Sequence, residues 1–215
     1  MRLFRLFTIT SLLIAGIPCL ATAGVGAKSL RALFASDECE VVPELLGAWT
    51  SPGVTYSVRE SHHNKYWIVD RDADLKTGKK LVLEICSAHI DGQVFYDATF
   101  LILGPDDKPT LPPEFAVGED FAVNIVAGFW VPMHIIGKLE IEQNKLHFRN
   151  IDNEWLQVAL KSRLITVASA QDDSGEYLLT ANGRQLKAFV VSLSNNPKAF
   201  SEQLDLTRIP GRTLN

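Results

Sequence analysis

Three cysteines, two methionines and five histidines in 215 residues leave little material for redox or metal chemistry. There is no C-x-x-C redox pair and no paired-cysteine zinc pattern. No G-x-S-x-G, H-E-x-x-H or glycine-rich phosphate loop occurs, so hydrolase, zincin and nucleotide-binding readings have no motif behind them. His62 and His63 are adjacent, and neighbouring side chains on extended chain point apart, a poor geometry for chelation. Asp106-Asp107 and Asp172-Asp173 lack the alternating oxygen ligands of a calcium loop. On these grounds no catalytic residue, metal ligand or cofactor is assigned. Lys and Arg form no cluster and the net charge is −4, which argues against nucleic acid or anionic lipid as a partner. No internal repeat or low-complexity tract is found.

Long apolar runs are also few. The first follows Arg2 and Arg5, spans residues 6–20, meets Pro18 near its end and leads to Ala21-Thr22-Ala23. A short positive region, an apolar core and a small-x-small site make residues 1–23 a cleavable signal peptide. The run is shorter than the ~20 residues of a stable membrane anchor. The expected product is exported, periplasmic or secreted. Lipid attachment at Cys19 is the less favoured route, because lipoprotein cysteines usually follow Gly, Ala or Ser and here Pro18 precedes. The second apolar run, 125–137, is too short to span, contains Pro132 and His134, and reads as a buried strand. No transmembrane span is therefore expected after cleavage.

Cleavage of 23 residues from 215 leaves 192, one domain with room for a real core, and removes two positive charges, taking the net charge to −6. It also removes Cys19. Cys39 and Cys86 remain, an even count in an oxidising compartment, and a disulfide between them is expected; two unrelated buried thiols are the alternative. Such a bridge closes a loop worth on the order of 4 kcal/mol in the chain-entropy model.

Residues 24–44 read as a lead-in, with a turn of helix around 30–34. Regular structure is expected from Leu45 onward, mostly as strands with period-2 alternation. Val54, Tyr56 and Val58 alternate with polar residues, and 66–70 returns across a loose turn. Segments 81–90 and 93–103 meet across Asp91-Gly92, a two-residue hairpin turn. That turn sets Leu83 opposite Phe100, Ile85 opposite Ala98 and Ser87 opposite Tyr96. The other face carries Glu84, Cys86, Asp97 and Thr99, so Cys86 is expected near the outer surface, within reach of the lead-in. Residues 104–119 form a proline-rich acidic connection of lid-like length. Strand 131–142 turns at Gln143-Asn144 into 145–150, pairing Glu142 with Lys145, Glu140 with His147 and Lys138 with Arg149. Helices are predicted over 153–161, capped by Asp152, and over 183–193, opened by an Asn182–Gln185 capping box. Short strands are read at 164–168 and 177–180, and a last one at 202–209, leaving 210–215 as a tail. The fold class is mainly β with two helices: an antiparallel meander closing into a barrel of about eight to ten strands.

Two features resemble the lipocalin-like group. Gly47-Ala48-Trp49 enters the first barrel strand as that group's G-x-W motif does, and Arg208 ends the last strand where a basic residue packs over the indole. More broadly, residues 45–209 resemble a set of uncharacterised exported bacterial proteins, often lipoproteins. The shared pattern is Leu46-Gly47-x-Trp49, then Pro132, His134 and Lys138 on one strand, the helix start Asn153 to Leu156, and Leu179 to Phe189. The resemblance implies export and a lipocalin-like barrel, with no known activity.

The candidate ligand-binding residues are Tyr96, Phe100, Phe115, Phe121, Phe129 and Trp130, clustered around the long connection, together with His134, a lone polar residue in an apolar strand. They suggest an apolar cavity under the 104–119 lid; core filling is the plainer alternative. The leading expectation is a non-enzymatic envelope protein holding a small apolar or lipid-like ligand. The alternative is an interaction module, inhibitor or assembly factor with a filled barrel and an unknown protein partner. A third reading, an enzyme using His134, has no partner residue visible in the sequence.

Overall fold

The structure is a computed structural model in which residues 26–71, 80–104, 106, 108, 125–126, 129–130, 133–171 and 175–211 are described. The expected signal segment, Cys19, Phe115 and Phe121 lie outside these residues, as does most of the proline-rich connection.

Eight antiparallel strands close on one another. They run β2 (Gly47–Ser51), β3 (Val54–Glu60), β4 (Tyr66–Asp70), β5 (Lys80–Ile90), β6 (Gln93–Leu103), β9 (His134–Glu142), β10 (Lys145–Ile151) and β13 (Phe200–Arg208). The pairing order β10-β13-β2-β3-β4-β5-β6-β9 returns from β9 to β10, so the barrel has no free edge. Among the described residues the protein is thus mainly β, with an eight-stranded closed barrel and two helices, the architecture implied by the lipocalin resemblance.

The local chemistry explains the register. Asp91 and Gly92 adopt φ of 50° and 75°, as a primed hairpin turn requires, and Leu83↔Phe100, Ile85↔Ala98 and Ser87↔Tyr96 follow. Gln143-Asn144 sets Glu142↔Lys145, Glu140↔His147 and Lys138↔Arg149. The like charges of that last pair do not face off unrelieved, because Arg149 Nε reaches diagonally to Glu140 Oε2 at 2.8 Å. Alternation then sorts the side chains. Inside, Trp49, Tyr56, Ile85, Tyr96, Leu146 and Phe148 belong to one continuous core. Outside, Cys86, Phe95 and Ile136 form the base of a second core.

The two helices and the lead-in cover that outer base. Helix α1 (Asn153–Lys161) is capped by Asp152, whose Oδ1 accepts from Trp155 N at 2.7 Å, and buries Leu156 and Ala159. Helix α2 (Gly183–Leu193) opens with the reciprocal Asn182–Gln185 capping box and buries Leu186, Phe189, Val190 and Leu193. Beside them, β12 (Tyr177–Leu179) and β11 (Ser169–Gln171) extend the sheet beyond the barrel.

Four local expectations are corrected. Regular structure starts before Leu45: β1 (Lys28–Ser29) pairs antiparallel with β9 and parallel with β12, since the lead-in has an apolar face of Ala27, Leu33 and Phe34 to bury. The turn of helix expected around 30–34 is absent; short 3₁₀ turns sit instead at Ser36–Glu38 and Pro43–Leu45. Residues 164–168 pair with nothing as a strand, because the ladder to β12 begins only at Ser169. Finally, the apolar run 125–137 is not one strand. β7 (Ile125–Val126) and β8 (Phe129–Trp130) make a separate two-stranded sheet, and β9 begins after Pro132.

Candidate functional site: the barrel interior and its closed end

The chain closes one end of the barrel with its own residues. Val42 and Leu45, both buried, lie across the end that carries the β3–β4, β5–β6 and β9–β10 turns. Tyr66 accepts a hydrogen bond from Val42 N through its hydroxyl. Trp49 Nε1 donates to Leu45 O at 2.8 Å, which satisfies the indole in a site where it is almost wholly buried. Over that indole lies Arg208, its guanidinium carbon 4.3 Å from the ring centroid. Arg208 also donates to Leu46 O at 2.8 Å and to Glu44 O, so one side chain stitches the last strand to the segment before the first.

This arrangement explains why glycine starts the motif. Gly47 has φ of +136°, and a Cβ there would sit 2.9 Å from Arg208 Nη1. Further along the wall Gly137 has a similar role. A Cβ on it would meet the Tyr96 hydroxyl at 2.6 Å and Arg149 O at 2.5 Å, so its absence lets the Tyr96 ring cross β9. Tyr96 then packs edge-on to Phe148, with centroids 5.3 Å apart, and donates its hydroxyl to Asn150 Oδ1. Complete burial pushes the Tyr96 hydroxyl far above its ordinary pKa, and it stays a neutral donor. Burial also raises Tyr66. Ser87, which also faces inward, is fully buried, and its hydroxyl has no hydrogen-bond partner among the described residues.

At the opposite end lie the Ser51–Val54 turn, the connection from Asp70 to Lys80 and the long connection from Leu103 to Met133. Phe100 and Leu81 face inward there and are only partly buried. Of the aromatic candidates, Tyr96 and Phe100 therefore share the barrel interior. Phe129 and Trp130 are placed on β8 by their backbone alone, and Phe115 and Phe121 fall outside the described residues.

His134 does not join them. It stands on the outer face, paired with Thr99, so a ligand inside the barrel does not meet it. Its Nδ1 lies 2.7 Å from Asp97 Oδ1, and Asp97 Oδ2 accepts from Leu33 N at 2.6 Å. Its partner is a buried carboxylate, which in turn anchors the lead-in. Asp97 was visible in the sequence only as a member of a polar strand face. What joins it to His134 is the β6–β9 pairing, made across some thirty intervening residues that no local signal bridges. Around this pair Phe34, Lys65, Glu84 and Thr99 leave a cleft of about 40 Å³, far below the ~300–1,000 Å³ of an organic-ligand site. Thr99 Oγ1 is engaged with Met133 O and Glu84 with Lys65 and Trp67, which leaves no free nucleophile among them.

Beside the cleft, Cys39 and Cys86 form the disulfide, with Cα atoms 5.2 Å apart. Cys86 lies on the outer face as the alternation required, and the lead-in buries it. Among the described residues no group of three or more His, Cys, Asp or Glu could hold a metal ion, and no helix is long and apolar enough to cross a membrane. No protein-family model, curated protein or solved structure matches the chain.

Proposed function

We propose that this protein is an exported, non-enzymatic carrier that holds a small apolar or lipid-like ligand at the end of the barrel opposite Trp49 and Arg208. The observation that carries the reading is the closed barrel and its apolar lining. Val42, Leu45 and the Trp49–Arg208 stack cross one end of a closed barrel with a largely apolar interior, and inward-facing Phe100 and Leu81 towards the other end are only partly buried. Export rests on the signal pattern of residues 1–23, and a disulfide suits an oxidising compartment. N-terminal sequencing of the mature protein is expected to begin at Gly24; a chain retaining Met1, or lipid on Cys19, overturns the export reading.

The ligand reading is tested by native mass spectrometry of protein purified from its own envelope, with a fluorescent fatty acid as a probe in vitro. A co-purifying lipid, and probe binding that Phe100→Glu weakens at least tenfold while the far-UV spectrum is unchanged, are the expected results. Absence of both refutes the carrier. The second reading is an interaction module with a filled barrel, and one observation favours it: Trp49, Tyr56, Tyr66, Tyr96 and Phe148 already occupy much of the interior. A co-purifying protein in place of a lipid would select it.

A further inference from the structure

We infer that the groove between residues 164–168 and helix α2 receives an extended, uncharged segment of a partner polypeptide, which adds a strand beside the sheet's free end. The groove lies outside the barrel, so the inference is independent of what the barrel holds. Among the described residues, strand β11 stands last in the sheet order and pairs only with β12. The residues leading into it alternate: Ile165, Val167 and Ser169 are half-buried, while Leu164, Thr166, Ala168 and Ala170 are exposed. Among the described residues, Thr166 and Val167 hydrogen-bond through neither backbone group. Neighbouring residues of an extended chain direct these groups to opposite edges, so one of the two offers an open donor and acceptor to a strand laid alongside.

The sequence leaves this edge unguarded. Natural proteins protect such edges with lysine, proline, charge or a bulge. Residues 164–171 read Leu-Ile-Thr-Val-Ala-Ser-Ala-Gln, with no charge, proline or glycine and with three β-branched residues. Leu164, at the start of this stretch, is 70% exposed. The facing wall suits a second backbone. Helix α2 turns Leu186, Phe189, Val190 and Leu193 inward and shows Gln185, Ala188 and Ser192 to the groove, side chains short enough to let a strand approach. The groove measures about 560 Å³, within the range of specific binding sites.

The neutral lining sets the chemistry of the occupant. Every lining residue is neutral, so a charged side chain entering the groove would lose its water without gaining a partner. The floor, with Ile165, Val167 and Phe189, is apolar, so the segment carries apolar side chains at every second position, where an extended chain directs them to one face.

The test uses the mature protein and a fluorescein-labelled, capped peptide of alternating valine and threonine. Controls are the same peptide N-methylated at alternate residues and a peptide of alternating valine and glutamate. Binding is read by fluorescence polarisation, and amide exchange is followed at Thr166 and Val167. The expected result is binding that slows exchange at one or both amides and weakens at least tenfold on N-methylation, on glutamate replacement and in Ala188→Glu. Ser192→Glu on the same stripe serves if Ala188→Glu fails to fold. No binding, or equal binding of the N-methylated peptide, overturns the inference. So do amides already protected in the free protein: with concentration dependence the occupant is a second copy, and without it a segment of this chain.

Discussion

Gly47, Trp49 and Arg208 show how three residues can close a barrel end. The tryptophan fills it, the arginine lies over the indole while bonding two carbonyls, and the glycine supplies both a positive φ and the space the guanidinium needs. Their energies are therefore coupled. Gly47→Ala is expected to cost roughly 1–3 kcal/mol from the left-handed backbone and the crowding of Arg208. Arg208→Ala exposes the indole face and removes a cation–π contact worth about 0.5–2 kcal/mol. In the double variant part of the Gly47 cost disappears, because the clashing guanidinium is gone. Guanidinium-chloride midpoints of the four proteins check this, and strict additivity would mean that the contact carries no energy. At this scale the sequence was readable in two ways: the resemblance to the lipocalin-like group pointed to Trp49 and Arg208, and the even cysteine count left after the expected cleavage pointed to the bridge. It was silent on Asp97 and Asn150. Each takes its role from a partner more than thirty residues away, through strand pairings that periodicity cannot reveal.

Among the elements, hairpins were the most legible, because a two-residue turn fixes every pair that follows it. The helices were legible through their caps. The lead-in was not, since a two-residue strand leaves no alternation to read, and its path is set by what it covers. Among the contacts that hold it are the β1 pairings, Leu33 N on Asp97, the Cys39–Cys86 disulfide, the Glu38–Lys187 ion pair and the Glu40–His89 hydrogen bond. Hydrogen bonding from Lys187 holds the Glu38 carboxyl below its usual range, and hydrogen bonding from His89 does so for Glu40. A depressed carboxylate pKa contributes stability above the unfolded value of about 4.3 and loses it as pH falls through the folded value. The lead-in is therefore expected to stay docked at neutral pH and to loosen in strong acid. Reduction of the disulfide sharpens that loss, because the closed 47-residue separation contributes on the order of 4 kcal/mol. Amide exchange of residues 26–46 at about pH 6 and about pH 3, oxidised and reduced, checks both claims. Unchanged protection across all four conditions would show that the β1 pairings and Asp97 suffice.

For the whole molecule, the distinctive feature is one wall serving two cores. Along β5, Ile85 points into the barrel and Cys86 into the outer core; along β6, Phe95 points out and Tyr96 in; along β9, Ile135 points in and Ile136 out. Neither core can dissolve without exposing the back of the other's wall, so the helices and lead-in are not an appendage to a self-sufficient barrel. Removing buried side chains should show this. Ile85→Ala on the inner side and Leu186→Ala on the outer side are each expected to cost about 2–5 kcal/mol. Each should shift a single transition, with far-UV ellipticity and tryptophan fluorescence moving together. Trp49 reports the barrel's closed end and Trp155 packs against the outer core, so the fluorescence samples both sides of the wall. If Leu186→Ala instead split the curve, with the outer core lost first and the barrel spectrum intact, the two cores would be separate cooperative units. The barrel would then be stable alone, and the outer layer would be free to rearrange when its groove is filled.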